Sequence, residues 1–216
     1  EKITTIWNIP SRHVWTPLEP GRQQRVLAQL QLTGPFLLFP AHCWPHKNHL
    51  RLLQAFQAIL SELPPGLKLV FTGRPFPNDH PACGLFDEVA HTGQVVHLGY
   101  RSPLEMKALF QGCELLVFPS LFEGFGRPVA EAIIAGKPVV CSNTTSLPEI
   151  AGEAALTFDP ENVESIGRTL LECVGSPDIQ KHLQQAALRR RGLFSARLSA
   201  VKTVSLYQRV YDCVYG

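Results

Sequence analysis

The sequence has few of the features that mark special classes of protein. Its six cysteines form no CxxC pair, which argues against a disulfide framework or a cysteine-rich zinc site and favours a reducing compartment. No apolar run is long enough to cross a bilayer. The formal net charge is only +2, with no long run of lysine and arginine, so nucleic acid is not an expected partner. We expect a cytoplasmic protein.

The chain does have enough apolar material for a large core. Its 216 residues are 45% hydrophobic, so it needs neither a metal nor disulfides to fold. Short apolar runs alternate with amphipathic helical patterns. The runs that suit buried strands are 36–39, 67–71, 95–98, 115–118, 139–141 and 155–158. This alternation predicts an α/β protein with a Rossmann-like, doubly wound parallel sheet, followed by a helical tail over 161–216.

The most informative stretch joins one of these runs to a helix. The apolar run 115–118 is followed by a loop in which Gly124 and Gly126 let the backbone bend and approach a ligand closely. Pro128 then suits the first position of a helix. Unpaired backbone N–H groups and the positive end of the helix dipole favour an anion at such a place. The pattern therefore indicates a phosphate site.

Two carboxylates accompany this loop. Glu123 and Glu131 have seven residues between them. A carboxylate is a poor partner for phosphate but a good acceptor for sugar hydroxyls, so the stretch indicates a ligand with phosphate in the middle and hydroxylated rings at both ends, as in a nucleotide sugar. The alternative is an ordinary strand, loop and helix, with Glu123 solvated and Glu131 placed favourably near the positive end of the helix.

The segment EGFGRPVAEA, residues 123–132, closely resembles the signature of the retaining glycosyltransferases of family four, which have the two-domain GT-B fold. The similarity runs from about residue 36 to residue 160. It implies a single nucleotide-sugar-binding domain over 1–216, namely the C-terminal domain of a GT-B fold, with the N-terminal acceptor domain absent. Residues 1–20 would form the interdomain linker or entry strand and 36–160 the core.

The resemblance gives the matching residues roles. Glu131 would accept hydrogen bonds from the ribose of the donor, and Glu123 from the donor sugar. Lys47 would stabilise the charge on the departing diphosphate, so Glu123 and Lys47 are the predicted catalytic residues. The backbone around the start of the helix would hold sugar and phosphate. The resemblance therefore implies that the donor-binding residues also include Gly124, Phe125, Gly126, Arg127 and Val129.

Two positions depart from the family pattern. Where the family usually has a basic residue that grips the diphosphate, most often arginine, this chain has His42. A histidine can donate a hydrogen bond, but its charge near neutral pH depends on its surroundings. Where the family usually has an aliphatic residue, this chain has Arg127, which either alters the choice of donor or points to solvent.

Further candidates follow other strands, at the edge where open α/β sheets bind ligands. Arg74 follows the second strand and either faces the same cleft or lies on the surface. The resemblance implies that the nucleobase lies against the loop with Tyr100 and Arg101. Thr145 and Ser146 follow the fifth strand and could reach the ligand, although Ser146 also suits the cap of a short helix.

Two other ligand classes fit the sequence less well. His42, His46 and His49 fall within eight residues and raise the alternative of a metal site, but no carboxylate or cysteine pattern completes it. A dinucleotide dehydrogenase is disfavoured because no GxGxxG follows the first strand. The family generally works without a metal, so we expect no metal and no cofactor, with a nucleoside-diphosphate sugar as the donor substrate.

We therefore expect half of a retaining glycosyltransferase that transfers a hexosyl group in polysaccharide or glycan synthesis. The acceptor, a glycan or a lipid-linked sugar, would bind through the N-terminal domain. The intact protein would contact the inner face of the membrane only through that domain. The alternative function is that of a nucleotide-sugar-binding module, which by itself transfers nothing.

Overall fold

The computed structural model describes residues 3–10 and 16–215. It contains one sheet of six parallel strands, which are β1 (Phe36–Pro40), β2 (Lys68–Thr72), β3 (Val95–His97), β4 (Leu115–Phe118), β5 (Val139–Ser142) and β6 (Ala155–Phe158). The order across the sheet is β3, β2, β1, β4, β5, β6. The chain builds outward from β1 to one edge and then returns to build outward to the other. This is the doubly wound order, which confirms the predicted fold class.

The strands are separated by helices that cover the sheet. In the described residues these are α1 (Pro20–Gln29), α2 (His49–Ala58), α3 (Cys83–Ala90), α4 (Pro103–Gly112), α5 (Arg127–Ile134), α6 (Leu147–Ala151), α7 (Val163–Gly175), α8 (Pro177–Arg190) and α9 (Ala196–Tyr215). Helix α2 packs against α7 and α3, whereas α1 packs against α4. Every residue of β4 and β5 is buried, as expected for parallel strands that are covered on both faces. Helices α7 to α9 form the predicted helical tail.

Helix α4 shows how a local signal fixes an element. Its N-cap is Ser102, whose Oγ accepts a hydrogen bond from the Glu105 N–H at 3.3 Å. The Glu105 carboxylate accepts in return from the Ser102 N–H at 2.7 Å, which completes a capping box. Hydrogen bonds from the Ser102 side chain and from the Ser102 N–H lower the pKa of Glu105 because they favour the charged form of its carboxyl. The capping box thus fixes where α4 begins.

The entry strand expected within residues 1–20 does not form in the part that the structure describes, since residues 3–10 have no regular secondary structure. Trp7 packs on the tail instead of on a sheet edge. Its ring stacks on Phe194 with centroids 5.4 Å apart, and the Arg190 guanidinium lies 5.5 Å from its ring centroid. Its indole N–H donates to Glu149 at 3.0 Å. Residues 11–15 of the expected linker lie outside the described residues.

Helix α9 is the least covered element. Its apolar and aromatic side chains are mostly exposed, including those of Val201, Val204, Tyr207, Tyr211 and Val214. Within residues 3–10 and 16–215, none of the helices combines the length and the hydropathy needed to span a bilayer.

Candidate functional site

The candidate site lies where the strand order reverses, between the loops that follow β1 and β4. The first loop carries Lys47 and the second carries Glu123. Between them is a cleft of about 800 Å³, here called the main cleft. It is lined by Asn8, His42, Lys47, Tyr100, Glu123, Gly124, Phe125, Gly126, Arg127, Pro128 and Glu131. Most of the predicted site residues therefore share one cavity.

Lys47 and Glu123 face each other in the main cleft. The Lys47 ammonium forms an ion pair with the Glu123 carboxylate, and the two side chains are only 16% and 12% exposed. The Lys47 Nζ also lies 5.1 Å from the centroid of the Phe118 ring at the end of β4. A ligand that takes Lys47 must therefore compete with Glu123 for its charge.

The loop after β5 holds Glu123 in place. The Glu123 N–H donates to Thr145 Oγ1 at 3.2 Å, and the Glu123 carbonyl accepts from Ser146 Oγ at 3.0 Å. The side chain of Ser146 does not cap α6, so that prediction is wrong. The two hydroxyls, which the sequence offered as ligand contacts, instead fix the backbone from which the carboxylate projects.

Only one glycine of the central loop needs to be glycine on steric grounds. Gly126 is the N-cap of α5 and has φ of 84°, and a Cβ there would lie 2.5 Å from the Leu147 Cδ2. A Cβ on Gly124 would meet nothing within 4 Å. Gly126 therefore makes the turn, and Gly124 leaves open space at the mouth of the main cleft.

The first turn of α5 faces the main cleft. The helix begins at Arg127, one residue earlier than predicted, and no side chain among the described residues caps it. The N–H groups of Arg127 and Val129 have no intrahelical partner, whereas Pro128 has no N–H at all. Since the Val129 side chain is fully buried, only its backbone is available for the predicted donor contact.

A second ion pair lies at this turn. The Arg127 guanidinium is 3.8 Å from a carboxylate oxygen of Glu131, one helical turn away. The Glu131 side chain is 14% exposed, but that of Arg127 is 62% exposed. The Glu131 carboxylate is therefore largely shielded at the wall of the main cleft, whereas the Arg127 guanidinium is exposed and can turn toward the cavity.

His42 is held by the loop after β2. Its Nδ1 accepts a hydrogen bond from the Arg74 N–H at 2.9 Å. A ring nitrogen that accepts cannot carry a proton, so in this arrangement the proton is on Nε2 and the ring is a neutral donor. The His42 ring lies almost parallel to that of Tyr100, with centroids 6.3 Å apart and an interplanar angle of 12°.

The structure separates the two other arginine candidates from the main cleft. The Arg74 side chain is exposed and lines a neighbouring cavity of about 280 Å³ with Cys43 and Trp44. Arg101 lines a side cavity of about 210 Å³ and pairs with Glu105 at 3.3 Å. Neither arginine belongs to the lining of the main cleft.

The side cavity, which Arg101 lines, opens on the main cleft. His42, Tyr100, Pro128 and Glu131 line both cavities. The lining of the side cavity combines apolar residues, among them Ala41 and Met106, with polar ones, and Tyr100 is 77% exposed. Its position next to Glu131 and the exposed ring of Tyr100 suit contact with a planar ring.

The three-histidine alternative is not supported. His49 is 1% exposed and packs among aromatic rings, with its ring centroid 4.7 Å from that of Phe39 and 5.8 Å from that of Phe71. Burial lowers its pKa to about 3. His42 is bound to the Arg74 backbone instead. In residues 3–10 and 16–215, no three histidine, cysteine or acidic side chains are grouped to hold a metal ion.

Sequence reasoning missed the role of Asn48. As the residue before α2 it resembles an ordinary cap, but its backbone has φ of 63° and its side chain does not cap the helix. Its buried amide donates to the carbonyls of Pro119 at 3.1 Å and Pro160 at 2.7 Å. Asn48 thereby ties the loop of Lys47 to the loop of Glu123. Its partners are at least 71 residues away in the chain, so no local pattern reveals them.

Known proteins similar to this chain point to one family. The model of the family "Glycosyl transferases group 1" matches residues 23–190. The O-antigen chain mannosyltransferase B of Escherichia coli is 29% identical over 218 residues, which cover 96% of this chain and 57% of that protein. The serotype-specific mannosyltransferase WbdA of Escherichia coli is 30% identical over 176 residues, which cover 81% of this chain and 22% of that protein. The chain thus spans little more than half of one relative and a fifth of the other.

Solved structures show the same fold. A glycosyltransferase from Rickettsia africae ESF-5 superposes with a TM-score of 0.81 at 19% identity, covering 94% of this chain and 56% of that one. Anabaena HepE, solved in complex with UDP and glucose, superposes with a TM-score of 0.76 at 20% identity, covering 96% of this chain and 56% of that one. With the family model matching most of its length, the chain belongs to the group 1 glycosyl transferases.

Proposed function

We propose that this chain is the donor-binding half of a retaining glycosyltransferase, which transfers a mannosyl or closely related hexosyl group from a nucleoside-diphosphate sugar to a sugar acceptor. One observation carries the proposal: Lys47, Glu123 and Glu131 line a single cleft at the reversal of strand order. Between the two carboxylates a helix begins that no described side chain caps. Relatives that are named mannosyltransferases favour mannose as the sugar.

Each group in the main cleft has a task that suits its chemistry. The diphosphate lies at the start of α5, where backbone N–H groups and the helix dipole favour negative charge. Glu131, next to the side cavity, accepts hydrogen bonds from the ribose, and the nucleobase enters the side cavity beside Tyr100. Glu123 accepts from the hydroxyls of the donor sugar. The sugar is thus held at the end of the cleft that is formed by Lys47 and Glu123.

Transfer requires Lys47 to change partner. Its ammonium is paired with Glu123, and it must turn toward the diphosphate to stabilise the charge that grows as the glycosidic bond breaks. Glu123 then accepts hydrogen bonds from the hydroxyls of the donor sugar in place of its ion pair with Lys47. The acceptor hydroxyl attacks the anomeric carbon from the face that the diphosphate leaves, and its proton passes to the departing phosphate oxygen. The anomeric configuration is therefore retained without a covalent nucleophile on the protein. Cations and helix N–H groups neutralise the leaving group, and no metal or cofactor is needed.

The acceptor in this proposal is a glycan or a lipid-linked sugar, in the cytoplasm. These 216 residues match 57% of the Escherichia coli relative, and the rest of that protein has no counterpart in them. We therefore expect the chain by itself to bind the donor and to transfer nothing.

The proposal is tested by calorimetric titration of the chain with UDP, GDP and ADP and with their common sugar conjugates, GDP-mannose included. We expect binding with a preference for one base, and Glu131→Gln should weaken binding of the nucleoside diphosphate itself. Glu153→Gln is the control, because Glu153 is 85% exposed and outside the main cleft. Absence of binding to every nucleotide would contradict the donor site, and turnover at a rate typical of a complete enzyme would contradict the assignment of this chain as a binding half.

A further inference from the structure

The main cleft has an unusual distribution of positive charge. Among the described residues that line it, Lys47 and Arg127 are the side chains with a permanent positive charge. They belong to different elements, Lys47 to the loop after β1 and Arg127 to the first position of α5. Lys47 is shielded and tightly paired with Glu123, whereas Arg127 is 62% exposed and only loosely paired. Arg127 is thus the more available of the two cations.

The wall after β1 offers little further charge. His42 lines it, but the His42 Nδ1 accepts the Arg74 N–H, so this ring cannot become a cation without giving up that hydrogen bond. Arg74 itself lines another cavity. Of the described residues on this wall, Lys47 is therefore the one permanent cation that a diphosphate in the main cleft meets, and Glu123 already balances its charge.

The wall at α5 is also short of one donor. Pro128 occupies the second position of the helix and has no N–H, so the first turn presents fewer backbone donors than a helix start normally does. Arg127 stands at this turn and carries five N–H donors in a planar fork that matches phosphate oxygens. Its Glu131 partner is 3.8 Å away, which is too long for a good hydrogen bond, so a small rotation exchanges that contact for a phosphate.

The position of Arg127 also matches where phosphate must lie. In the proposed function Glu131 holds the ribose and Glu123 the sugar, and Arg127 lies between them in the chain and lines the same cleft. We propose that Arg127 binds the diphosphate of the donor through its guanidinium, together with Lys47, and so supplies the charge that the wall after β1 lacks. This inference rests on the proposed function. It makes Arg127 a donor-binding residue rather than a solvated side chain.

The rival role for Arg127 is a structural one, in which it only positions Glu131. The two roles differ in their dependence on charge and on Glu131. An arginine that contacts phosphate acts whether or not Glu131 is charged, and part of its effect survives in lysine. An arginine that only orients Glu131 has no effect once Glu131 is neutral.

The experiment is calorimetric titration of the chain with whichever of UDP, GDP or ADP it binds best. Arg127→Gln is compared with Arg189→Gln, a matched control, because Arg189 is 60% exposed and 3.9 Å from Glu153, outside the main cleft. We expect Arg127→Gln to weaken binding about tenfold and Arg127→Lys to recover part of the loss. Arg189→Gln should leave the affinity unchanged. The loss in Arg127→Gln should persist in a Glu131→Gln background and should shrink as salt is raised.

Two outcomes overturn the inference and leave the proposed function standing. One is equal affinity of Arg127→Gln and Arg189→Gln for the nucleotide. The other is a loss that disappears in the Glu131→Gln background, which would show that Arg127 only positions Glu131. If the unsubstituted chain binds none of the three nucleotides, the proposed function itself fails, and the role of Arg127 fails with it.

Discussion

Replacement of Glu123 by glutamine should affect nucleoside diphosphate and nucleotide sugar in opposite directions. The substitution keeps the size of the side chain and removes its charge. Because Glu123 is paired with Lys47, it holds the ammonium away from any phosphate in the main cleft. Glu123→Gln releases Lys47 and should strengthen binding of the nucleoside diphosphate. The same change weakens the hydrogen bonds that we assign to the donor sugar, so the sugar conjugate should bind more weakly.

The size of both effects follows from the burial of the pair. Exposed ion pairs contribute about 0.2 to 1 kcal/mol, and a pair that is 16% and 12% exposed belongs near the upper limit. A release of about 1 kcal/mol corresponds to roughly fivefold tighter binding of the nucleoside diphosphate. A hydrogen bond to a charged group contributes about 1.5 to 3 kcal/mol. The sugar conjugate loses this contribution but also gains about 1 kcal/mol from the release of Lys47, so its binding should weaken by about 0.5 to 2 kcal/mol in total.

The assay is calorimetric titration of the unsubstituted chain and of Glu123→Gln with the preferred nucleoside diphosphate and with its sugar conjugate, at low salt. Glu153→Gln removes a carboxylate that is far from the main cleft and corrects for the change in net charge. If Glu123→Gln weakens both ligands equally, then Glu123 does not compete for Lys47, and the reasoning from the ion pair is wrong.

Three further predictions concern stability, measured as the free energy of unfolding in urea. Gly126→Ala should lower it by about 2 kcal/mol, because alanine is strained at φ of 84°, whereas Gly124→Ala should have little effect. Ser102→Ala should lower it by about 1 kcal/mol through loss of the α4 cap. Between pH 6.5 and 5 the free energy of unfolding should fall by up to about 2 kcal/mol. In this range the unfolded chain binds a proton at His49, whereas in the folded chain the pKa of His49 is about 3 and the ring stays neutral. His49→Phe should remove this part of the fall, and His46→Phe, at an exposed position, should not.

The fold was predictable because its signals are local. The run 115–118 became β4 with the bounds that were predicted, since four apolar residues in a row suit a strand that is buried on both faces. Alternation of strands and helices then leaves few topologies. The entry strand expected within residues 1–20 does not form in residues 3–10, where Trp7 packs on the helical tail instead of joining the sheet.

The location of the site was also predictable, but its pairing was not. Parallel strands end at the same edge of a sheet, so residues after β1 and β4 were expected to meet there. Whether Lys47 would contact Glu123, 76 residues away, depends on how two loops close over each other. From the sequence, the hydroxyls of Thr145 and Ser146 were candidates for contact with a ligand, with a cap of α6 as the alternative for Ser146. In the structure they hold the loop of Glu123, a contact that depends on the path of a third loop.

The two ion pairs suggest how the site distinguishes a complete donor from its product. Lys47 and Arg127 are each paired with a carboxylate, and a diphosphate that draws Lys47 away leaves Glu123 without that cation. A ribose supplies hydroxyls for Glu131 in either ligand, but only the sugar conjugate supplies hydroxyls for Glu123. When a nucleoside diphosphate binds alone, the shielded Glu123 carboxylate therefore lies beside the negative charge of the diphosphate without a new partner, which is unfavourable. In this scheme the pairing of Lys47 with Glu123 slows the entry of phosphate. The same pairing favours release of the nucleoside diphosphate once the sugar has been transferred.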